Sequence, residues 1–372
     1  MSEKIVTVAS YPYSRAQLLK GRLESQGIDC FLSNVNMIQG DFGTGVRVMI
    51  KEEDMEKAMR IIREIHEEYG EEKQQTLERL KAVRKILVPV DFSDTSVNAC
   101  RFAIGMAEKL KAEVHLLNIW FNPVVTSEPY TQGFSPQIGS GGLLLNLEQD
   151  ARKRIKQLAD ELKEEIRQKN ISKVSIDYTV MRGSPEDIIT EFADQYDPGV
   201  IVMGMKGRDD SLPGIIGSVT FRVMKKAEVP LLVIPEKSEF HGIQYVNRVM
   251  FATGFDESDY AALHRLMALV RPFEMKIFCV HVAEFSDNPM NRAEMENLKK
   301  HFSEKYPGAG LICDIIEQKD VFQALEDYIG EMEIHLIAMT THKRDLLEKI
   351  FHPSLTRKML FHTSVPLLVF HS

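Results

Sequence analysis

The chain repeats itself, and a repeat of this length restricts the fold more than any single motif in it. Ile201-Val202-Met203-Gly204, with Lys206 to Asp209, returns 136 residues later as Ile337-Ala338-Met339-Thr340, with His342 to Asp345. Val229-Pro230-Leu231-Leu232-Val233 returns as Val365-Pro366-Leu367-Leu368-Val369. At the front, Ile86 to Phe92 aligns with Val249 to Phe255 at a shift of 163, and the 27-residue difference between the two shifts is largely one loop of the first copy. Two copies of one pattern must bury the same faces, so they share one fold.

The first copy alternates strand and helix. Strand Lys85 to Val90 is followed by helix Asp94 to Leu110, strand Glu113 to Trp120, a long connection and a helix from Leu145 to Lys169. Strand Lys173 to Val180, helix Pro185 to Gln195, strand Val200 to Met203, helix Ser218 to Lys226 and strand Pro230 to Ile234 complete it. This order predicts an α/β domain with a doubly wound, five-stranded parallel sheet and right-handed crossovers. The connection Phe121 to Gly142 leaves the carboxyl end of the second strand; a lid over a ligand and a loop without function both fit it.

Val200 to Met203 is apolar and β-branched, as a strand buried on both faces requires. It runs into GMKGRDDSLPGIIGS, Gly204 to Ser218, in the pattern G-x2-G-x9-G-S. Glycines at Gly204, Gly207 and Gly217 let the backbone turn freely and come close to a bulky anion. Ser218 then opens a helix whose first N–H groups lack partners and whose dipole favours negative charge. Asp91 stands at the end of another strand, on the rim where open α/β sheets bind ligands.

Together these residues resemble the universal stress protein family, whose nucleotide-binding members carry G-x2-G-x9-G-(S/T) after the fourth strand and an Asp after the first. The resemblance covers Arg84 to Glu236 and, more weakly, Asn247 to the C-terminus. It implies two tandem Rossmann-like (HUP-like) domains, at 85–240 and 247–372, paired through their last strands. Val229 to Ile234 and Val365 to Phe370 are apolar edge segments that need such cover. An internal pseudo-dimer is therefore expected, and a homodimer stays open. The resemblance also implies an adenine nucleotide, ATP or another, with Mg²⁺ or Mn²⁺ riding on its phosphates. Asp91 suits the ribose hydroxyls or the adenine amino group, and Pro89, Val90 and Ile119 would wall an adenine slot. Met203, Gly204, Gly207, Arg208, Gly217, Ser218 and Val219 would line the phosphate end. Lys206 and Arg208 either add charge there or are solvated loop cations.

The second copy departs at the positions that matter. Gly204, Gly207 and Gly217 become Thr340, Lys343 and Pro353, and Asp91 becomes Gly254 with Asp256 two residues on. Pro353 also has no N–H to offer a phosphate. The second copy is expected to keep the fold without the site.

Ahead of the repeats, residues 1–66 read as a small α+β unit of order βαββα, a ferredoxin-like half. Ile5 to Ala9, Ile28 to Leu32 and Val46 to Lys51 are its strands, with helices from Ser14 to Gln26 and from Glu53 to about His66. The unit resembles a small bacterial domain family described as signal-transducing, with little known chemistry. Gly43-Thr44-Gly45 precedes a strand and reads as a turn. Residues 67–84 are charged and rich in helix formers, a helical linker.

With 54 acidic against 46 basic residues, net charge −8, no basic face for nucleic acid or an anionic membrane is expected. Apolar runs are strand-length, short of the roughly 20 residues that span a bilayer. No leader precedes the first strand, so a cytoplasmic protein is expected. Cys30, Cys100, Cys279 and Cys313 form no C-x-x-C pair and read as small buried hydrophobes. His342, His352 and His362 recur every ten residues, which does not gather them on one helical face. Three functions remain: a nucleotide-binding stress regulator signalling by conformational change, a slow ATP hydrolase or phosphoryl or nucleotidyl transferase using Asp209 or Asp210, and an interaction scaffold that binds no nucleotide.

Overall fold

The computed structural model describes residues 5–11, 13–33, 46–62, 83–120, 140–171, 174–205, 218–238, 242–284, 289–308, 310–341, 359 and 364–371. The chain divides into two compact units, Met1–Thr76 with Asp287–Asn297, and Leu77–Ser286 with Leu298–Ser372.

In the small unit, β1 (Ile5–Tyr11) leads into α1 (Tyr13–Ser25), then β2 (Cys30–Ser33) and β3 (Val46–Lys51). Gly27 takes φ 76, the left-handed stop that an L side chain resists, and α1 ends there. β3 is central and antiparallel to both neighbours, with Ile50 opposite Val6 and Cys30. This is the split βαβ of a ferredoxin-like half. Val8, Leu19, Leu23, Ile28, Val48 and Ile50 form its core. The second helix opens with a 3-10 turn, Glu52–Asp54, and residues 55–62 are helical. The Gly43-Thr44-Gly45 turn and residues 67–82 of the expected linker lie outside the described residues.

The first repeat comprises β4 (Lys85–Val90), α2 (Asp94–Leu110), β5 (Glu113–Trp120), α3 (Ser140–Gln168), β6 (Ile176–Arg182), α4 (Pro185–Tyr196), β7 (Val200–Met205), α5 (Ser218–Lys226) and β8 (Leu231–Pro235). The second comprises β9 (Arg248–Ala252), α6 (Glu257–Val270), β10 (Lys276–Ala283), α7 (Pro289–Lys305), β11 (Leu311–Glu317), α8 (Val321–Glu331), β12 (Leu336–Thr341) and β13 (Leu367–His371). Local chemistry sets these ends. Ser93 caps α2 by accepting from the Ser96 amide, and Lys111 closes it at φ 54. Pro185 opens α4 with Glu186 and Asp187 in its first turn, and Asp320 caps α8.

Two expected boundaries move by three residues or more. β6 runs from Ile176 to Arg182 rather than from Lys173 to Val180, because its length is set by β5, which it pairs from Val114 to Trp120. α3 begins at Ser140 rather than Leu145; Leu143 to Leu145 are good helix formers and carry the helix back through Gly141-Gly142. Of the expected lid, residues 121–139 lie outside the described residues.

The strands form one ten-stranded sheet, β11-β10-β9-β12-β13-β8-β7-β4-β5-β6. Each half is parallel, and the halves join antiparallel, Leu231 opposite Val369 and Val233 opposite Leu367. The expected pairing through the last strands is thus realised inside the chain. The six residues of this seam, Leu231 to Val233 and Leu367 to Val369, are at most 1% exposed. At ~2 kcal/mol per buried side chain they contribute on the order of 10 kcal/mol, enough to make the halves one folding unit. One face of the seam, Leu231, Val233, Leu367 and Val369, continues into a core shared by both halves. Among the described residues no helix is long and apolar enough to cross a membrane.

Candidate functional site

In a sheet of this order the strand sequence reverses between β7 and β4, and a crevice is expected above that point. The ladder there is short. Ile86 pairs with Val200 and Leu87 with Ile201, and pairing then stops although β4 continues to Val90 and β7 to Met205. Pro89 lies in the unpaired stretch, and a proline has no N–H for a ladder. In the second repeat the matching ladder continues through Ala338 with Phe251 and Met339 with Ala252, where Ala252 stands for Pro89. The ladder beside the first crevice is cut short, and the one beside the second runs on.

Asp91 follows β4 and is exposed, while Val90 and Pro89 behind it are buried. Phe92 turns the chain with φ 65, and Ser93 returns to extended geometry as the cap of α2. The turn is held by the carboxylate: Asp91 Oδ1 accepts from the Ser93 amide at 3.0 Å and the Ser93 hydroxyl at 2.6 Å. Burial works to raise the Asp91 carboxyl, but these bonds and one from Ser96 outweigh it and hold it below the usual range. Asp91 is thus a fixed, ionised acceptor at the rim.

Gly204 has a different reason to be glycine from the one its sequence suggests. Its φ lies outside the left-handed region, and a Cβ there would stand 2.5 Å from the Thr95 carbonyl carbon and oxygen and 2.8 Å from the Ser96 nitrogen. The residue lets the start of α2 rest on the end of β7. Thr220 Oγ1 donates to the Gly204 carbonyl at 3.2 Å and ties α5 to the same point.

Ile119 and Val219 are half-buried and pack against the core that includes Met203. Ser218 is the first residue of α5. The described residues therefore bring Pro89, Val90, Asp91, Ile119, Met203, Gly204, Ser218 and Val219 to one rim of the first repeat. Gly207, Arg208 and Gly217, with Lys206, Asp209 and Asp210, lie outside the described residues, as do His342, His352 and His362.

Two residues of this region escape a sequence reading. Asn118 on β5 is 4% exposed, and its Nδ2 donates to the Val90 carbonyl at 2.8 Å, while its Oδ1 is buried without a hydrogen-bond partner among the described residues. Its counterpart is His281, whose Nδ1 donates to Thr253 O at 2.9 Å. The bond that steadies the strand end is kept while the side chain changes, so only the shared register reveals it. The other is Asp259, the counterpart of Ser96. It is 1% exposed and accepts from Gly254 N at 2.7 Å, Thr253 Oγ1 at 3.0 Å, Asp256 N at 3.3 Å and the Thr340 hydroxyl. Burial pushes its carboxyl up, Asp256 adds to this, and the bonds from Thr340, Gly254 and Thr253 oppose it. Asp256 does not replace Asp91: it caps α6, the task of Ser93 in the first repeat.

The profile of the universal stress protein family matches residues 82–235 and again 246–371, three quarters of the 372 residues. The chain belongs to the universal stress protein family. A second family, described only as prokaryotic signal transducing protein, matches residues 13–66. A universal stress protein of Methanocaldococcus jannaschii is 33% identical over 155 residues, 41% of this chain and 81% of that protein. Another from the same organism is 28% identical over 161 residues, 42% of this chain and 96% of that protein. The crystal structure of a universal stress protein from Archaeoglobus fulgidus matches with a TM-score of 0.61 at 15% identity, covering 78% of this chain and 99% of that one. The described universal stress protein repeats are alike in fold and unlike at their crevices, the first with a short ladder and a carboxylate at its rim, the second with a longer ladder and Asp259 bonded to both strand ends.

Proposed function

We propose that the first universal stress protein repeat binds an adenine nucleotide, ATP foremost, and that the chain is a stress-response regulator read out through the contacts between its repeats. The observation that carries this is the β4–β7 ladder that stops at Leu87 and Ile201, set beside an ionised Asp91 carboxylate at the exposed strand end. The residues fit such a group. Asp91 accepts, as ribose hydroxyls and an adenine amino group require. Pro89, Val90, Ile119 and Met203 offer apolar walls, and α5 begins where phosphates would meet helix N–H groups. Gly207, Arg208 and Gly217 complete the phosphate end in this reading. Mg²⁺ or Mn²⁺ would be held by the phosphates themselves. Among the described residues no group of three or more His, Cys, Asp or Glu could hold a metal alone.

The chain's one tryptophan, Trp120, ends β5 beside Ile119 and gives an optical probe of this rim. Freshly purified protein should release about one adenine nucleotide per chain on denaturation, and titrating stripped protein with ATP and Mg²⁺ should change Trp120 fluorescence. Gly217→Val should abolish both. Protein that carries no nucleotide and does not bind millimolar ATP would instead be a scaffold. Phosphate release that disappears in the Asp209→Asn, Asp210→Asn double variant would make it a slow hydrolase.

A further inference from the structure

In the second half of the sheet the strand order reverses between β9 and β12, so this is the crevice equivalent to the one proposed for nucleotide in the first half. A single side chain spans it. Asp259 takes hydrogen bonds from the end of β9, through Thr253 and Gly254, and from the end of β12, through Thr340. A helix capping box explains only part of this: it accounts for the bond from the Asp256 amide, and needs nothing from either strand. The first repeat has Ser96 and Gly204 at the two central positions, a short hydroxyl and no side chain. The second has a carboxylate and a hydroxyl long enough to meet.

We propose that Asp259 is a built-in ligand of the second repeat: its carboxylate occupies the crevice, joins both walls and shuts the site to external anions. The two amide donors, Gly254 N and Asp256 N, can only donate, so they are satisfied by an acceptor and by nothing apolar. A phosphate or carboxylate entering from solvent would meet a negative group already bonded to those donors. The second repeat is thereby fixed in one closed state, and any response to a ligand arises in the other half. This inference does not depend on what the first repeat binds.

The test is chemical rescue. Asp259→Gly removes the carboxylate and leaves a cavity of matching shape with four donors around it. Its melting temperature should fall by roughly 5 °C or more, since several buried donors lose their acceptor. Sodium formate should recover at least half of that loss, with sodium chloride at equal ionic strength recovering none, and formate should leave the wild type unmoved. Formate acting no better than chloride would overturn the proposal. Should the glycine variant fail to fold, hydrogen exchange on Thr340→Val supplies the decision. Loss of that hydroxyl should speed exchange at Gly254 and Asp256 several-fold by loosening the carboxylate. Unchanged exchange there would show that Asp259 is only a helix cap.

Discussion

His371, on the last strand of the second repeat, donates from Nε2 to the carbonyl oxygen of Met224 in the first repeat at 2.5 Å. Met224 lies in the final turn of α5, where carbonyls have no partner within the helix. The helix that begins at the proposed phosphate end of one repeat is therefore finished by the other. The bond runs one way only, because the position matching His371 in the first repeat is Pro235, which has no donor.

Replacing His371 by Ala should cost about 1 kcal/mol, the usual net value of such a bond, read as a lower urea midpoint. His371→Gln keeps a donor and should recover part of it. If the proposed nucleotide site is coupled to this contact, ATP affinity should fall with His371→Ala as well.

Gly204→Ala and Gly254→Ala form a matched pair. The first places a methyl 2.5 Å from the Thr95 backbone, whereas at Gly254 the nearest atom, Asp256 Oδ2, is 3.7 Å away. Gly204→Ala should be destabilising by about 1–3 kcal/mol through displacement of α2, and Gly254→Ala close to neutral. Thermal melts of the two variants side by side check this.

Pro89→Ala returns the N–H that the β4–β7 ladder lacks and makes the first crevice resemble the second. The gained hydrogen bond and the lost rigidity of the unfolded chain are each worth up to about 1 kcal/mol and oppose one another, so stability should hardly move. Nucleotide affinity should drop, as the completed ladder ties β4 to β7 beside the slot. An isothermal titration with ATP and Mg²⁺ separates the two effects.

The fold was legible because the repeat copies whole strands: Asp94 to Leu110, Glu113 to Trp120 and Ser218 to Lys226 have the bounds that apolar spacing and caps predict. The pairing of Val229 to Ile234 with Val365 to Phe370 also follows from apolar edges that need cover. Much of the site was not legible, for a reason visible at Gly204 and Asp259. A glycine near a proposed phosphate invites a phosphate explanation, while its contact is with Thr95, more than a hundred residues away in sequence. Asp259 aligns with a serine and sits inside a helix, so nothing local connects it to Thr340. Side-chain partners brought together by the crossover of strands carry no spacing signal.

Acid should weaken the second repeat through His264. Burial, with Lys305 and His301 adding to it, pushes this imidazole down to about 3, and it shares hydrogen bonds with Tyr306 and His301. Its folded value lies below the unfolded one of about 6.5, so the unfolded chain binds the extra proton as pH falls. The group costs nothing above pH ~6.5, and below it stability is lost at up to ~1.4 kcal/mol per pH unit until about pH 3. Burial lowers His281 and His115 in the same direction. Urea midpoints between pH 7 and 5 should show a shallower slope for His264→Gln than for wild type.

The antiparallel seam of β8 with β13 makes the pairing of the two halves a matter of folding rather than of encounter. Two separate chains would come apart on dilution, at a rate set by their number in the cell, whereas tethered halves keep a fixed effective concentration. Each molecule thus carries its own partner half, and the pairing of the repeats does not depend on how many copies are present.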